Sequence, residues 1–415
     1  MLEIMELDLV SGAWTIQDVV NKFVRPKTAA TKCCLFDLVP ERYVARPHFF
    51  VSHTWSRKYI DLMRMRKTYL GVNSSSDAAA GVILWLDIIA INQHPYKDRG
   101  CLSNKDVDNL AKVVHATDRT LFCLDKECVA LSRIWCIYEV WQTVMEKGAY
   151  GLRVLMPEVK GSKLAEVFKT FDVMKAEATQ EEDRIKILAD ISKSDGGAAS
   201  VNMKLKRALV DSAQHEAEHT AATGLERVFL LIKAGDILMA DGQHTESERY
   251  YQEALKVSTD VLGDDKPDTL KCFSSLATCL EAQGKTSEQP VLTELYAKAF
   301  DGLEKDRPDI QRLLAVLAAA RDPLSPGLLH HLGMDGLLEN LPLWGTLFYL
   351  RDDRVHMVHP SLLEFTRKRV DMSESHRLLV KLINVTGDEA YGLQHGVAHT
   401  LQAGDAQLLQ SVLLD

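Results

Sequence analysis

The chain has 415 residues, 46% hydrophobic and 26% charged, with a formal net charge of −9. That length and balance predict a globular protein of two or three domains, and an acidic surface without a sustained Lys/Arg stripe argues against a nucleic-acid partner. No apolar run nears the ~20 residues of a membrane span. The acidic start Met1-Leu2-Glu3 lacks the basic region of a signal peptide, and eight scattered cysteines without a CxxC pair read as reduced thiols of a cytoplasmic protein.

Residues 1 to about 45 read as a lead-in with one amphipathic helix, Thr15 to Phe23. From 46 to 160 strand and helix patterns alternate. The strand candidates are Phe49–Ser52, Val82–Ile89, Leu121–Leu124 and Leu152–Met156. Helical patterns lie near Arg57–Leu70, Lys105–Ala116 and Ile134–Lys147, with a loop at Gly71–Gly81. The alternation predicts a parallel sheet covered on both faces, a doubly wound α/β domain of flavodoxin-like order. Two apolar runs end in polar residues: Phe49-Phe50-Val51-Ser52-His53-Thr54-Trp55, and Trp85-Leu86-Asp87 through Asn92-Gln93. Buried parallel strands deliver side chains to their carboxyl edge in this way, and ligands of open α/β sheets bind there.

Residues 161–220 read as a charged helical connector. Residues 225–300 hold an internal repeat: Ile237 to Gln243 recurs as Cys279 to Lys285, with Gly242 and Gly284 42 residues apart. This spacing resembles the longer, kinesin-light-chain type of tetratricopeptide repeat. About two repeats are visible, where stacked helical pairs usually need about three or more. Gly284-Lys285-Thr286 is not a phosphate-binding loop: Cys279 stands where that motif needs glycine, and no strand precedes it. Residues 308–415 read as a mainly α domain. Its order, through His359-Pro360-Ser361, resembles the winged-helix region that follows the nucleotide-binding core of NACHT-type ATPases. His330-His331 and His356-x-x-His359 lack convergent ligands, so no metal site is expected.

The first third resembles TIR domains and fungal heterokaryon-incompatibility (HET) domains. Trp85, Asp87, Ile91, Asn92 and Gln93 match the HET pattern Trp-x-Asp-x-x-x-Ile-Asn-Gln, and Arg133, Trp135 and Glu139 match Arg-x-Trp-x-x-x-Glu. Ser132, Trp135, Cys136 and Glu139 are similar to the serine, tryptophan-cysteine and glutamate run of many TIR domains. The resemblance implies a catalytic glutamate, Glu139, that cleaves NAD⁺ at the nicotinamide–ribose bond. Ser52, Trp55, Asp87 and Trp135 would line the site. No tightly bound cofactor is expected; NAD⁺ would be the substrate. A carboxylate suits the positive charge that builds on the ribose.

Helical geometry alone points elsewhere. Ile137, Val140, Trp141 and Val144 form an apolar stripe, and Glu139 falls roughly opposite, where a glutamate is usually solvated. Asp87 and His53 read as structural caps, and Asn92 and Gln93 as residues that fix a loop. The expected function is therefore an intracellular immunity-type signalling protein. Its TIR/HET-like domain would cleave NAD⁺ on self-association, and its repeats would take a protein or peptide partner. The alternative is a non-enzymatic adaptor and repeat scaffold.

Overall fold

A computed structural model describes residues 12–41, 44–69, 82–95, 109–156, 159, 161–263, 266–285, 293–294, 296–297, 300–301, 308–330, 348–357, 360–386 and 389–404. The expected loop at Gly71–Gly81, the start of the Lys105–Ala116 helix, Thr286, His331 and His359 lie outside these residues. The chain divides into two units, residues 1–221 with 236–243, and residues 222–235 with 244–415.

In the first unit Thr15 opens α1 (Ile16–Val19). The Thr15 hydroxyl accepts the Asp18 N–H at 3.1 Å, and the Asp18 carboxylate accepts the Thr15 N–H at 3.1 Å. This reciprocal box satisfies two donors that a helix start leaves open. The helix continues through a wider turn, Val20–Val24, to Lys27. Ile16, Val19, Val20 and Val24 are buried, so this segment is a layer of the core and not a lead-in.

There follow β1 (Phe49–Ser52), α2 (Tyr59–Tyr69), β2 (Leu84–Trp85), α3 (Asp87–Ala90), α4 (Leu110–Ala116), β3 (Arg119–Cys123), α5 (Ile134–Lys147) and β4 (Leu152–Leu155). All strand pairs are parallel, in the order β2-β1-β3-β4. On one face Val51, Leu121, Cys123 and Leu155 pack with Ile16, Leu62 and Ile88. On the other, Phe50 packs with Leu110, Val114, Trp85 and Trp135. Both faces are covered, as a parallel sheet requires. The strand expected over Val82–Ile89 is cut short. Asp87 turns the chain into α3 and its side chain accepts the Ile88 N–H at 2.7 Å.

The stretch 161–220 is not a connector. It forms α6 (Gly161–Thr170), α7 (Glu181–Lys193) and α8 (Gly197–His219), and α8 packs on β4 and α5. The Ser212 hydroxyl donates to the Leu152 carbonyl at 2.6 Å, and Arg153 pairs with Glu216 at 2.8 Å. The unpaired groups of an edge strand need such cover, and β4 is an edge.

The second unit contains most of α9 (Gly224–Ala240), whose last turn from Asp236 belongs to the first unit, then α10 (His244–Leu262) and α11 (Pro267–Ala282). A Cβ on Gly235 would lie 2.5 Å from the Tyr251 ring, so glycine permits this close approach. The Ser247 hydroxyl donates to the Gly235 carbonyl at 2.8 Å. The two repeat glycines end their helices alike. Gly242 has φ +80°, with its N–H on the Met239 carbonyl and the Gln243 N–H on Leu238. Gly284 has φ +77°, with its N–H on Glu281 and the Lys285 N–H on Leu280. Both are Schellman turns, which is why Gly284-Lys285 looks like a loop motif without being one.

The end of the chain forms α12 (Pro308–Ala319), α13 (Pro326–His330), an antiparallel hairpin of β5 (Phe348–Arg351) and β6 (Arg354–Met357), then α14 (Pro360–Arg369), α15 (Met372–Thr386) and α16 (Glu389–Ala403). A bridge joins Leu324 to Val355. A buried polar relay ties α15 and α16 to the end of α12. The Arg321 N–H donates to Tyr391 Oη at 3.2 Å, leaving the phenol to donate to His399 Nε2 at 3.0 Å. His399 Nδ1–H then meets His376 Nδ1 at 2.9 Å. This order demands a neutral His399, and burial holds its pKa down to about 4.

Two outcomes follow for stability. Gly235→Ala forces the Tyr251 ring aside and should cost ~1–3 kcal/mol by denaturant melting, the scale of overpacking. His399 binds protons more readily unfolded, near 6.5, than folded, near 4. Its contribution is complete above pH 6.5 and is lost as pH falls through 4. Relative to His399→Phe, wild-type melting temperature should therefore drop over that window; parallel pH curves would refute the relay.

Candidate functional site

The winding direction of the sheet reverses between β1 and β3, where ligand crevices of open α/β sheets form. The carboxyl ends of these strands bring Ser52, His53, Thr54, Leu124 and Asp125 together. The strand alternation sends Val51 to the α1 face and Phe50 and Ser52 to the α5 face.

Glu139 meets Ser52 here. The helical-wheel expectation that Glu139 faces solvent holds only in part, because the residue is half-buried. Its Oε2 is fully enclosed, and no hydrogen bond reaches that atom. α5 keeps an exposed side at Met145 and Glu146, and Glu139 lies at the border between that side and the sheet. The sheet covers one flank, and α7 and α8 pack on the helix from elsewhere. Ile134, Cys136, Ile137, Val140, Trp141 and Thr143 are all buried. The sheet-facing row runs Cys136, Glu139, Val140, Thr143, and the Thr143 hydroxyl meets Thr120 of β3 at 2.6 Å.

Burial pushes the Glu139 carboxyl well above the usual carboxylate range. The Ser52 hydroxyl pulls it part of the way back, and the negative charge of Asp87 raises it again. Cys136 lies one turn away, its thiol also raised by burial and directed at the His53 carbonyl at 3.4 Å. A thiol held in that state is no nucleophile.

Asp87 sits on the neighbouring strand end. Its Oδ2 accepts Trp55 Nε1–H at 2.6 Å, and its Oδ1 lies 3.4 Å from His53 Nε2. Gln93 donates to the carbonyls of Asp87 and Ile91, and Asn92 to that of Lys32, so both brace the loop after α3. Arg57 is buried. Its Nη2 donates to the Leu124 carbonyl at 3.0 Å, and its Nη1 has no hydrogen-bond partner. Ser52 Oγ, His53 Nε2, Glu139 Oε2 and Arg57 Nη1 are thus buried polar atoms without a hydrogen bond around the carboxyl ends of β1 and β3. Each such atom costs ~1–3 kcal/mol unless water or a ligand satisfies it.

The expected lining is only partly assembled. Ser52 and Glu139 are together, with Asp87 close enough for its charge to reach the glutamate. Trp55 and Trp135 do not form one cleft: Trp55 packs in the cluster on the α1 face, and Trp135 in the cluster of Phe50 and Trp85. Trp135 Nε1 is occupied by Asp183 at 3.1 Å. Arg57 is the addition that sequence reading missed. An arginine two residues past Trp55 carried no signal until the fold buried it.

The repeat family that matches lies in a different part of the chain. The tetratricopeptide repeat family matches residues 227–288. Tetratricopeptide repeat protein 19, mitochondrial, of Homo sapiens is 30% identical over 104 residues, covering 25% of this chain and 26% of that protein. Its Mus musculus counterpart is 30% identical over 103 residues, covering 25% and 27%. The chain thus aligns with about a quarter of each relative. The repeat expected over 225–300 is thus matched over residues 227–288. No helix of the described residues is long and apolar enough to cross a membrane.

The enclosed glutamate sets a pH test. Its folded pKa lies above its unfolded value, so the native state holds the proton longer. Its contribution is complete below the unfolded pKa and is lost as pH rises through the folded one. Glu139→Gln should remove that loss and raise the melting temperature at pH 8 more than at pH 5. An equal change at both values would place Glu139 in solvent.

Proposed function

We propose that this protein is an interaction scaffold whose helical repeats hold a protein or peptide partner. The repeat match over residues 227–288 carries the reading. Burial on the paired helices favours one surface for that partner. From Val228 to Leu238, α9 is buried except at Phe229 and Asp236, so its sides are already occupied. By contrast α11 buries Cys272, Phe273, Leu276, Ala277, Cys279 and Leu280 and leaves a polar strip along Lys271, Ser274, Ser275 and Thr278. Those positions recur at three- and four-residue steps and share one face.

The N-terminal unit reads as a TIR/HET-like module that self-associates and is recruited with the partner. The parallel order β2-β1-β3-β4 and the placement of Ser52 and Asp87 at strand ends support this. The C-terminal part reads as a winged-helix-like module that regulates assembly. It is supported by two helices, the bridge Leu324 to Val355, and the β5–β6 hairpin. Affinity purification from native extract tests the scaffold. Lys271→Glu with Thr278→Glu should lose the partner recovered with wild type and keep its melting temperature. An unchanged partner set with a folded variant would sink the assignment.

A second reading rests on the enclosed Glu139–Ser52 pair. It is the cleavage of NAD⁺ implied by the family resemblance. An empty, desolvated carboxyl stays protonated, and the positive charge of a bound nicotinamide ring would draw it into the ionised form that stabilises a ribosyl cation. Concentrated wild type should then release nicotinamide, and Glu139→Gln should not. Absence of release by folded wild type would remove this reading and leave the scaffold untouched.

A further inference from the structure

The last turn of α8 reads His215-Glu216-Ala217-Glu218-His219. Two histidines four residues apart lie on one helical face. Their rings are stacked, with centroids 4.3 Å apart and planes 24° from parallel. Tyr150 packs against His215, at 4.1 Å between centroids. His215 is half-buried and His219 exposed, so solvent reaches the pair. The signal is legible in the sequence as the spacing His-x-x-x-His, which is absent from the candidate residues named above.

The proton positions are set by the surroundings. His219 Nδ1 lies 3.1 Å from the His215 carbonyl and donates to it. Its Nε2 lone pair is then directed away from the backbone. Histidines that bind metals usually have this arrangement, with one nitrogen held by a carbonyl and the other left to coordinate. Burial, then the charges of His219 and Arg119, lowers the His215 pKa, while Glu216 and Glu218 oppose the shift. The pair also sits at the carboxyl end of a helix, whose dipole favours a cation.

We propose that His215 and His219 form a two-imidazole chelate for a divalent first-row transition ion, with water completing its coordination. Metal–nitrogen bonds of ~2.0–2.1 Å place two ligating nitrogens ~3–3.4 Å apart. Rings stacked at 4.3 Å aim their in-plane lone pairs side by side, so one imidazole must turn about its χ angles before both nitrogens converge on an ion. Imidazole ligands suit Zn²⁺ and Cu²⁺, with Cu²⁺ held more tightly. The site is not hydrolytic. The glutamate after the first histidine, the general base of zinc proteases with this spacing, is here paired with Arg153 at 2.8 Å. Among the described residues no group of three metal-ligating side chains converges. The ion would instead tie down the last turn of α8 beside Tyr150.

The test uses the full chain, stripped with chelator and desalted, then titrated with Zn²⁺ and separately with Cu²⁺ by calorimetry. Wild type should bind one ion per chain that His215→Ala with His219→Ala does not bind. Each single variant should weaken binding about tenfold or more, and Cu²⁺ should bind more tightly than Zn²⁺. His219→Gln retains a donor for the His215 carbonyl, so it should keep the metal-free melting temperature and still bind the ion about tenfold or more weakly. His330→Ala should bind as wild type does. Equal stoichiometry and affinity in wild type and in folded His219→Gln would overturn the site.

Discussion

A four-stranded parallel sheet cannot leave a face or a long edge in water, and the first unit is arranged around that constraint. Each face needs helices, so α1 and α2 cover one and α4 and α5 the other. The β4 edge needs its own cover, so α8 lies along it, held by Ser212 and the Arg153–Glu216 pair. That last requirement has a chemical consequence. Once α7 and α8 pack against α5, its exposed side narrows to Met145 and Glu146 near its end, and Glu139 is left half-buried. Glu139 is pressed towards the strand end, where Ser52 is the nearest polar group that moderates its burial.

The same logic explains the uneven polarity of the strand ends. Apolar residues inside the sheet give way at its carboxyl edge to Ser52, His53, Thr54 and Asp87, which must find partners or go without. His53 and Trp55 share Asp87, and Gln93 and Asn92 spend their amides on the loop. Ser52, His53, Glu139 and Arg57 each keep an atom without a hydrogen bond. A fold tolerates this expense most readily where function or water repays it.

The helical unit obeys a different rule. Hairpins of paired helices stop cleanly only if the last carbonyls are satisfied, and glycine alone enters the required positive-φ turn without strain. Gly242 and Gly284 do so with the same pair of hydrogen bonds, 42 residues apart. Farther along, a hydrogen-bonded relay from the Arg321 amide to His376 fixes the protonation of two buried histidines. Neither feature depends on sheet formation. Each rests on backbone groups that would otherwise be buried unpaired.

Local periodicity was enough to place β1 over Phe49–Ser52, α5 over Ile134–Lys147 and the repeat around Gly242 and Gly284. Those signals depend only on neighbours in the chain: strand alternation, helical spacing, and a glycine that must adopt positive φ. The role of residues 161–220 was not legible, because an amphipathic helix does not say what it covers. Glu139 was only partly placed for the same reason. A helical wheel cannot say how far the strand ends reach round a helix, and here they close over the Glu139 carboxyl at the border of the wet side. Trp55 and Trp135 looked like partners in one cleft until the sheet put them in separate clusters. The sequence by itself determined the elements and the turns, which are set by short-range sterics and hydrogen bonds. Tertiary structure alone decided which polar groups lost water, because desolvation depends on everything that packs around a side chain.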